Sequence, residues 1–190
     1  VGIAVGAIIA TRVMSLIGRK YGFILASIGN TLFSILAAYS IYSQNFILFC
    51  FANVFIGIGM AFTHQYRFAA AESVEKSMAS KAISIILFGG IISAFLGPSL
   101  ANYTKDLISE NLYVGSYLAL AILTFIPAIL FLFYNSKTKV DTNLEYSGRS
   151  YLELFLQPRF LQAITASAFG YAIMTFLMTA TPISMHVMEN

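Results

Sequence analysis

One long apolar run, residues 46–71, constrains this chain more than any other feature. Residues 46–62 carry no charged side chain, and the run ends just before Glu72. As a single helix rising 1.5 Å per residue it is about 39 Å long, enough to cross a hydrocarbon core of roughly 30 Å with tilt. The sequence therefore predicts a membrane-crossing helix here.

Composition extends this prediction to the whole chain. Hydrophobic residues make up 58% and charged residues 10%, with a mean hydropathy of +0.80, whereas about 25% of a soluble domain is charged. We predict an all-α, multi-pass membrane protein with six transmembrane helices. The chain begins and ends in or beside apolar sequence, which is expected of a fragment of a longer protein rather than of a signal peptide. The apolar segments are 1–17, 21–42, 46–71, 79–102, 112–134 and 160–185.

The basic residues indicate the orientation. Cytoplasmic loops near span ends retain Lys and Arg, and alternating sides place ten of the eleven basic residues on one side and Lys105 alone on the other. We take the first side as cytoplasmic. This topology explains the net charge of +3 without a nucleic-acid partner. The ten are Arg12, Arg19, Lys20, Arg67, Lys76, Lys81, Lys137, Lys139, Arg149 and Arg159.

Most polar side chains of the run 46–71 share one helical stripe. Asn53, His64 and Arg67 recur at spacings that place them on one face. Because a charged or amide group facing lipid costs several kcal/mol, the stripe should face other helices or a wet cavity. Two interpretations stay open: the stripe lines a solute pathway, or Arg67 extends to the headgroups and His64 only contacts a helix.

The segment 79–102 repeats small residues every fourth position, including Gly89 and Gly97. Such a stripe lets a neighbouring helix approach closely. Pro98 removes a backbone hydrogen bond and is expected to kink the helix. The pattern favours a helix-packing groove, and a hinge for conformational exchange is the alternative.

A polar linker divides the chain into three predicted parts. Residues 1–134 form a partial N-terminal bundle, 135–159 a cytoplasmic linker, and 160–190 the first helix of a second bundle. Leu152, Phe155 and Leu156 share one face of a short segment that also carries Glu153 and Gln157. This amphipathic pattern predicts a helix lying on the membrane surface.

Several motifs resemble those of the major facilitator superfamily. They are the basic turn Gly18-Arg19-Lys20, the pair Gly57 and Gly59, and Gly97-Pro98. The resemblance implies helices two to seven of a twelve-helix transporter that packs against the rest of its own chain. It also implies transport of a small solute through the plasma (inner) membrane by alternating access, and Gly97-Pro98 favours export or antiport.

The polar stripe, the small-residue pattern and the resemblance together suggest candidate site residues. Asn53, His64 and Arg67 would lie on the substrate pathway. Arg19, Lys20, Glu72 and Lys81 would form a cytoplasmic gating cluster. Ser15 replaces the usual carboxylate of the basic turn, and Glu72 is expected to pair with Arg19 or Lys81 instead. The residues expected to serve helix packing or hinge motion are Gly57, Gly59, Gly89, Gly97 and Pro98.

The two alternative function classes are a membrane-embedded enzyme and a channel subunit. An enzyme needs a clustered catalytic set, but the two histidines, His64 and His186, fall near opposite membrane faces. A channel needs rings of like charge or a carbonyl filter, and neither is visible. With a single cysteine, Cys50, no disulfide is possible within the chain. We therefore predict no enzyme activity, cofactor or metal.

Overall fold

The computed structural model describes residues 2–108, 112–134 and 156–188. These residues are almost entirely helical and include no β-strand, as the sequence predicts. The chain divides into two units, Val1–Val140 and Asp141–Asn190, and each is described by itself. The helices are α1 (Gly2–Tyr42), α2 (Phe46–Thr63), α3 (Tyr66–Ser73), α4 (Ala79–Thr104), α5 (Val114–Leu132) and α6 (Pro158–Met188).

Five helical spans in the described residues are long and apolar enough to cross a membrane. The sequence predicts six segments, and the difference lies in α1, where the first two segments form one 41-residue helix. The five spans are Gly2–Tyr42, Phe46–Ser73, Lys76–Thr104, Val114–Leu132 and Pro158–Thr181.

Helix α1 is folded at Gly18. The backbone there has φ 80° and ψ 163°, a conformation that glycine adopts without the steric cost paid by other residues. The backbone amide and carbonyl groups after Gly18 therefore point in a different direction from those before it. The two arms of α1, residues 2–17 and 19–42, can therefore take different directions.

Contacts with α2 show that the arms run in opposite directions. Along the first arm, Gly2 lies against Val54 and Gly57, and Gly6 lies further along against Ile58 and Ala61. This arm is therefore parallel to α2.

The second arm contacts α2 in the reverse order. Gly22 lies near Phe62, and Phe33 stacks on Phe55 with ring centroids 4.5 Å apart. Later residues of the arm thus meet earlier residues of α2, so the two are antiparallel. The two predicted segments 1–17 and 21–42 correspond to these arms.

The predicted single helix 46–71 is interrupted in the structure. Helix α2 is capped by Asn45, whose Oδ1 accepts a hydrogen bond from the Leu48 amide at 3.1 Å, and it ends at Thr63. The Gln65 amide then bonds the Phe62 carbonyl at 2.9 Å, three residues back instead of four. This tighter turn separates α2 from α3 without a glycine or proline.

Helix α5 packs against the second arm of α1 and against α2. Phe23 is fully buried, with its ring centroid 4.8 Å from Tyr66 and 4.9 Å from Phe131. Further along, the hydroxyls of Thr31 and Thr124 lie 3.2 Å apart. Apolar packing and a polar contact inside the bundle therefore fix α5 to α1.

Helix α4 has the least support in the first unit. It runs through Pro98 without interruption, and none of its residues is buried within the described part of the chain. Its polar contact with α5 lies near its end, where the Ser116 hydroxyl donates to the Ala101 carbonyl at 2.7 Å. An open cavity of about 540 Å³ runs along α4, is lined partly by Gly89 and Gly97, and has Leu123 as its lining residue from α5. The small-residue stripe therefore faces open space in this unit.

Helix α6 forms the described part of the second unit. Its 31 residues begin at Pro158, the first helical position, which suits proline because its missing amide hydrogen is not needed there. Most of the predicted linker 135–159 and of its surface helix lies outside the described residues.

Candidate functional site

The fold of α1 at Gly18 brings Arg19 to Glu72. The Arg19 Nη2 and Glu72 Oε1 atoms are 2.6 Å apart, and the two side chains are 24% and 44% exposed. Glu72 lies near the end of α3, fifty-three residues from Arg19. This ion pair therefore connects the turn of α1 to α3.

Two more polar contacts lie at the same end of the bundle, which we call the Gly18 end. Lys20 Nζ donates to the Leu132 carbonyl at 2.8 Å, which satisfies one of the free carbonyls at the end of α5. The hydroxyls of Ser73 and Tyr134 lie 3.1 Å apart. The start of the second α1 arm, the end of α3 and the end of α5 are thus joined pairwise.

Of the predicted gating cluster, the structure brings together Arg19, Lys20 and Glu72 around these helix ends. Lys81 stands apart. It is exposed near the start of α4, and the one ion pair found among the described residues is that of Arg19 with Glu72.

Asn53, on the predicted stripe, uses both ends of its amide inside the bundle. Its Nδ2 donates to the Phe49 carbonyl at 2.9 Å, and its Oδ1 accepts from the Tyr117 hydroxyl at 3.1 Å. Tyr117 also packs edge-on against Phe49. Asn53 thus connects α2 to α5, while one N–H and one oxygen lone pair of its amide take no part in these two bonds.

His64 and Arg67 lie at the junction of α2 and α3. His64 is exposed and its amide caps α2 by bonding the Met60 carbonyl at 3.3 Å. Arg67 is half-buried, with its guanidinium carbon 5.0 Å from the centroid of the Phe68 ring. Its Nε is buried and has no hydrogen-bond partner among the described residues.

The predicted packing glycines differ in their surroundings. Gly57 faces Gly2, and Gly59 lies against the Asn30 amide. By contrast, a Cβ added at Gly89 or Gly97 would meet nothing within 4 Å in the described part.

Sequence reasoning missed Asn30, Tyr66 and Tyr117. Asn30 is 8% exposed, and Tyr66 packs its ring against Phe23 and Phe131. An amide inside the apolar segment 21–42 was a usable signal for Asn30. The tyrosines gave none, since an aromatic residue in a membrane segment is equally suited to a lipid-facing position.

Comparison with protein families places these elements in a known class. The family model described as Major Facilitator Superfamily matches residues 1–189. The chain belongs to the major facilitator superfamily. No solved structure matches it.

The chain is also similar to a curated transporter. This major facilitator superfamily chain is 33% identical over 186 residues to the riboflavin transporter of Brucella anthropi. The match covers 97% of the chain and 47% of the relative, so the chain spans about half the length of the curated relative that it matches. Family membership and the apolar helices show an integral, multi-pass membrane protein of a solute-transporter family.

The described residues contain no group of three or more His, Cys, Asp or Glu side chains that could hold a metal ion. The polar groups that the structure does bring together are an ion pair, hydroxyls and amides. In a membrane bundle, groups of this kind connect helices or contact a polar solute.

Proposed function

We propose that this chain forms part of a carrier that moves riboflavin, or a closely related flat heteroaromatic solute, across the plasma (inner) membrane by alternating access. The similarity to a riboflavin transporter over 97% of the chain carries this proposal. The superfamily membership supports a small solute as the cargo.

The Gly18 end supports a gating role for Arg19, Lys20 and Glu72. Each contact there joins two different helices, so a change in the spacing of α1, α3 and α5 must break at least one of them. Partly exposed ion pairs contribute little stability on their own. They can therefore open and close at low energetic cost, and Lys81 lies close enough along the chain to join when the ends move.

The stripe on α2 and α3 is proposed as one wall of the solute pathway. Its member His64 is exposed in the first unit, and polar groups at membrane depth favour an aqueous or solute-filled space over lipid. Asn53 would line the pathway with the N–H and the oxygen lone pair that its bonds to Phe49 and Tyr117 do not use. For the direction of transport, Gly97 and Pro98 favour export or antiport, with α4 bending where it is least packed.

Flux measurements on the full-length protein in proteoliposomes test this proposal. Loaded riboflavin should leave protein-containing vesicles faster than protein-free vesicles, and flux should saturate with concentration, as its fluorescence can report. Arg67→Ala should lower flux several-fold while leaving membrane insertion unchanged, and Arg12→Ala should lower neither.

Two results would decide against the proposal. Riboflavin flux equal to that of protein-free vesicles would show that riboflavin is not the transported solute. Parental flux in Arg67→Ala would leave Arg67 as a headgroup contact outside the pathway.

A further inference from the structure

We propose that Arg67, assisted by His64, forms a binding site for an oxyanion, a phosphate or carboxylate group, at the junction of α2 and α3. The inference rests on the proposed function, because it takes the stripe that carries these residues to face the solute pathway. It adds a chemical class of ligand that a riboflavin carrier alone does not require.

The first support is the missing acidic partner. The nearest carboxylate in sequence, Glu72, is 2.6 Å from Arg19, and no other ion pair occurs among the described residues. Arg67 is nevertheless half-buried, and a half-buried guanidinium gains more from a counter-ion than an exposed one does. Arg67 is therefore a charge whose partner the described helices do not supply.

The second support is the hydrogen bonding of the guanidinium. Its carbon lies 5.0 Å from the Phe68 ring centroid, while its buried Nε–H has no acceptor in the described part. Leaving a buried donor unpaired costs about 1–3 kcal/mol. An oxyanion that draws the guanidinium off the ring can accept from Nε–H and a terminal N–H together, in the bidentate geometry that arginine favours.

The third support is His64, which precedes Arg67 by three residues. The chain between the two residues makes hydrogen bonds three residues back, as in a 3₁₀ turn, and side chains three residues apart in such a turn eclipse one another. The exposed imidazole of His64 can donate one further hydrogen bond to a group held by Arg67. Two donors on one face suit a compact, multi-oxygen anion better than a single acceptor atom.

Anion titration of the full-length protein in nanodiscs of neutral lipid tests the site, with inorganic phosphate as the probe and chloride at equal ionic strength as the control. Phosphate should raise the thermal midpoint of the parent, because a ligand that binds the folded state stabilises it. In Arg67→Gln the half-saturating phosphate concentration should rise about ten-fold or more, as for the loss of one charge-assisted contact.

Two matched variants sharpen the measurement. Arg67→Lys should bind with intermediate affinity because a single ammonium cannot form the bidentate pair, and it remains informative if Arg67→Gln fails to fold. Arg12→Gln removes an exposed arginine elsewhere in the chain and should titrate as the parent does. Parental titration by both Arg67 variants would overturn the proposal.

Repeating the titration in nanodiscs that contain an anionic phospholipid distinguishes two sources of the oxyanion, a lipid headgroup and a group on the solute. If lipid headgroups fill the site, free phosphate loses its effect there. If the site takes a group on the solute, the phosphate effect persists. Riboflavin flux is measured alongside: flux without a phosphate effect overturns the oxyanion site alone, and a phosphate effect without flux overturns the proposed function alone.

Discussion

Gly18 determines which residues can meet at its end of the bundle. Its positive φ lets the chain reverse, so Arg19 becomes the first residue of the returning arm and reaches Glu72. Ser15, which stands where the superfamily usually has a carboxylate, instead donates to the Arg12 carbonyl of its own helix at 2.8 Å. The acidic partner of the basic turn is therefore supplied by α3.

A charge reversal tests this ion pair. Arg19→Glu or Glu72→Arg alone places like charges together and should lower riboflavin flux several-fold, whereas the double reversal should restore most of it. The pair is partly exposed, so each single change is expected to cost only about 1 kcal/mol of stability. Flux and thermal midpoint are measured for all four proteins, with Lys76→Glu as the matched control at the same end. A double variant as impaired as the singles would show that the pairing itself is unimportant.

The residue types identified the polar side chains of the candidate site more reliably than the residues that these side chains contact. The apolar context marked Asn53 as a polar residue that needs a partner, but Tyr117 lies 64 residues further along the chain and no local pattern connects the two. Glu72 was predicted to pair with Arg19 or Lys81, and in the structure its partner is Arg19. The buried contact of Asn30 with Gly59 depends on the packing of α1 on α2, which the sequence does not reveal.

At the level of helices, hydropathy located the membrane-spanning segments but not the breaks between helices within them. The predicted segments 79–102 and 112–134 agree with α4 and α5 to within two residues at each end. The break between α2 and α3 was missed because His64 and Gln65 keep right-handed helical angles and only the hydrogen-bond register changes. No residue type forbids a continuous helix there.

Thiol labelling tests the predicted orientation of these helices. In a Cys50→Ser background, which removes the native thiol, Ser43→Cys lies in the turn between α1 and α2, and Ser77→Cys in the turn before α4. An impermeant maleimide added to intact cells should label the first and not the second, because the basic residues cluster with the second. Permeabilised cells should label both. Labelling of Ser77→Cys alone in intact cells would reverse the topology.

In the first unit, the directions in which the helices run are consistent with the distribution of basic residues along the chain. The first α1 arm runs parallel to α2, and the second arm antiparallel to it. This alternation is the one assumed in counting the basic residues by side. The sequence could predict this arrangement because two independent patterns, apolar length and loop charge, constrain it together. It could not predict how loosely α4 is held, since that depends on which helices lie beside it.

The last prediction concerns energy coupling. A proton-driven carrier usually needs an ionisable group within the membrane. Glu72 lies in the last turn of α3, Glu75 and Asp106 follow helix ends, and all three are exposed. His64 remains on the stripe, one turn from the positive charge of Arg67. We predict that neither these carboxylates nor His64 couples flux to protons. His64→Gln in the full-length protein should therefore keep the parental ratio of riboflavin flux with and without a pH gradient, as should the control Gln65→Ala. A variant that retained flux but lost its dependence on the gradient would identify His64 as the coupling group and contradict this prediction.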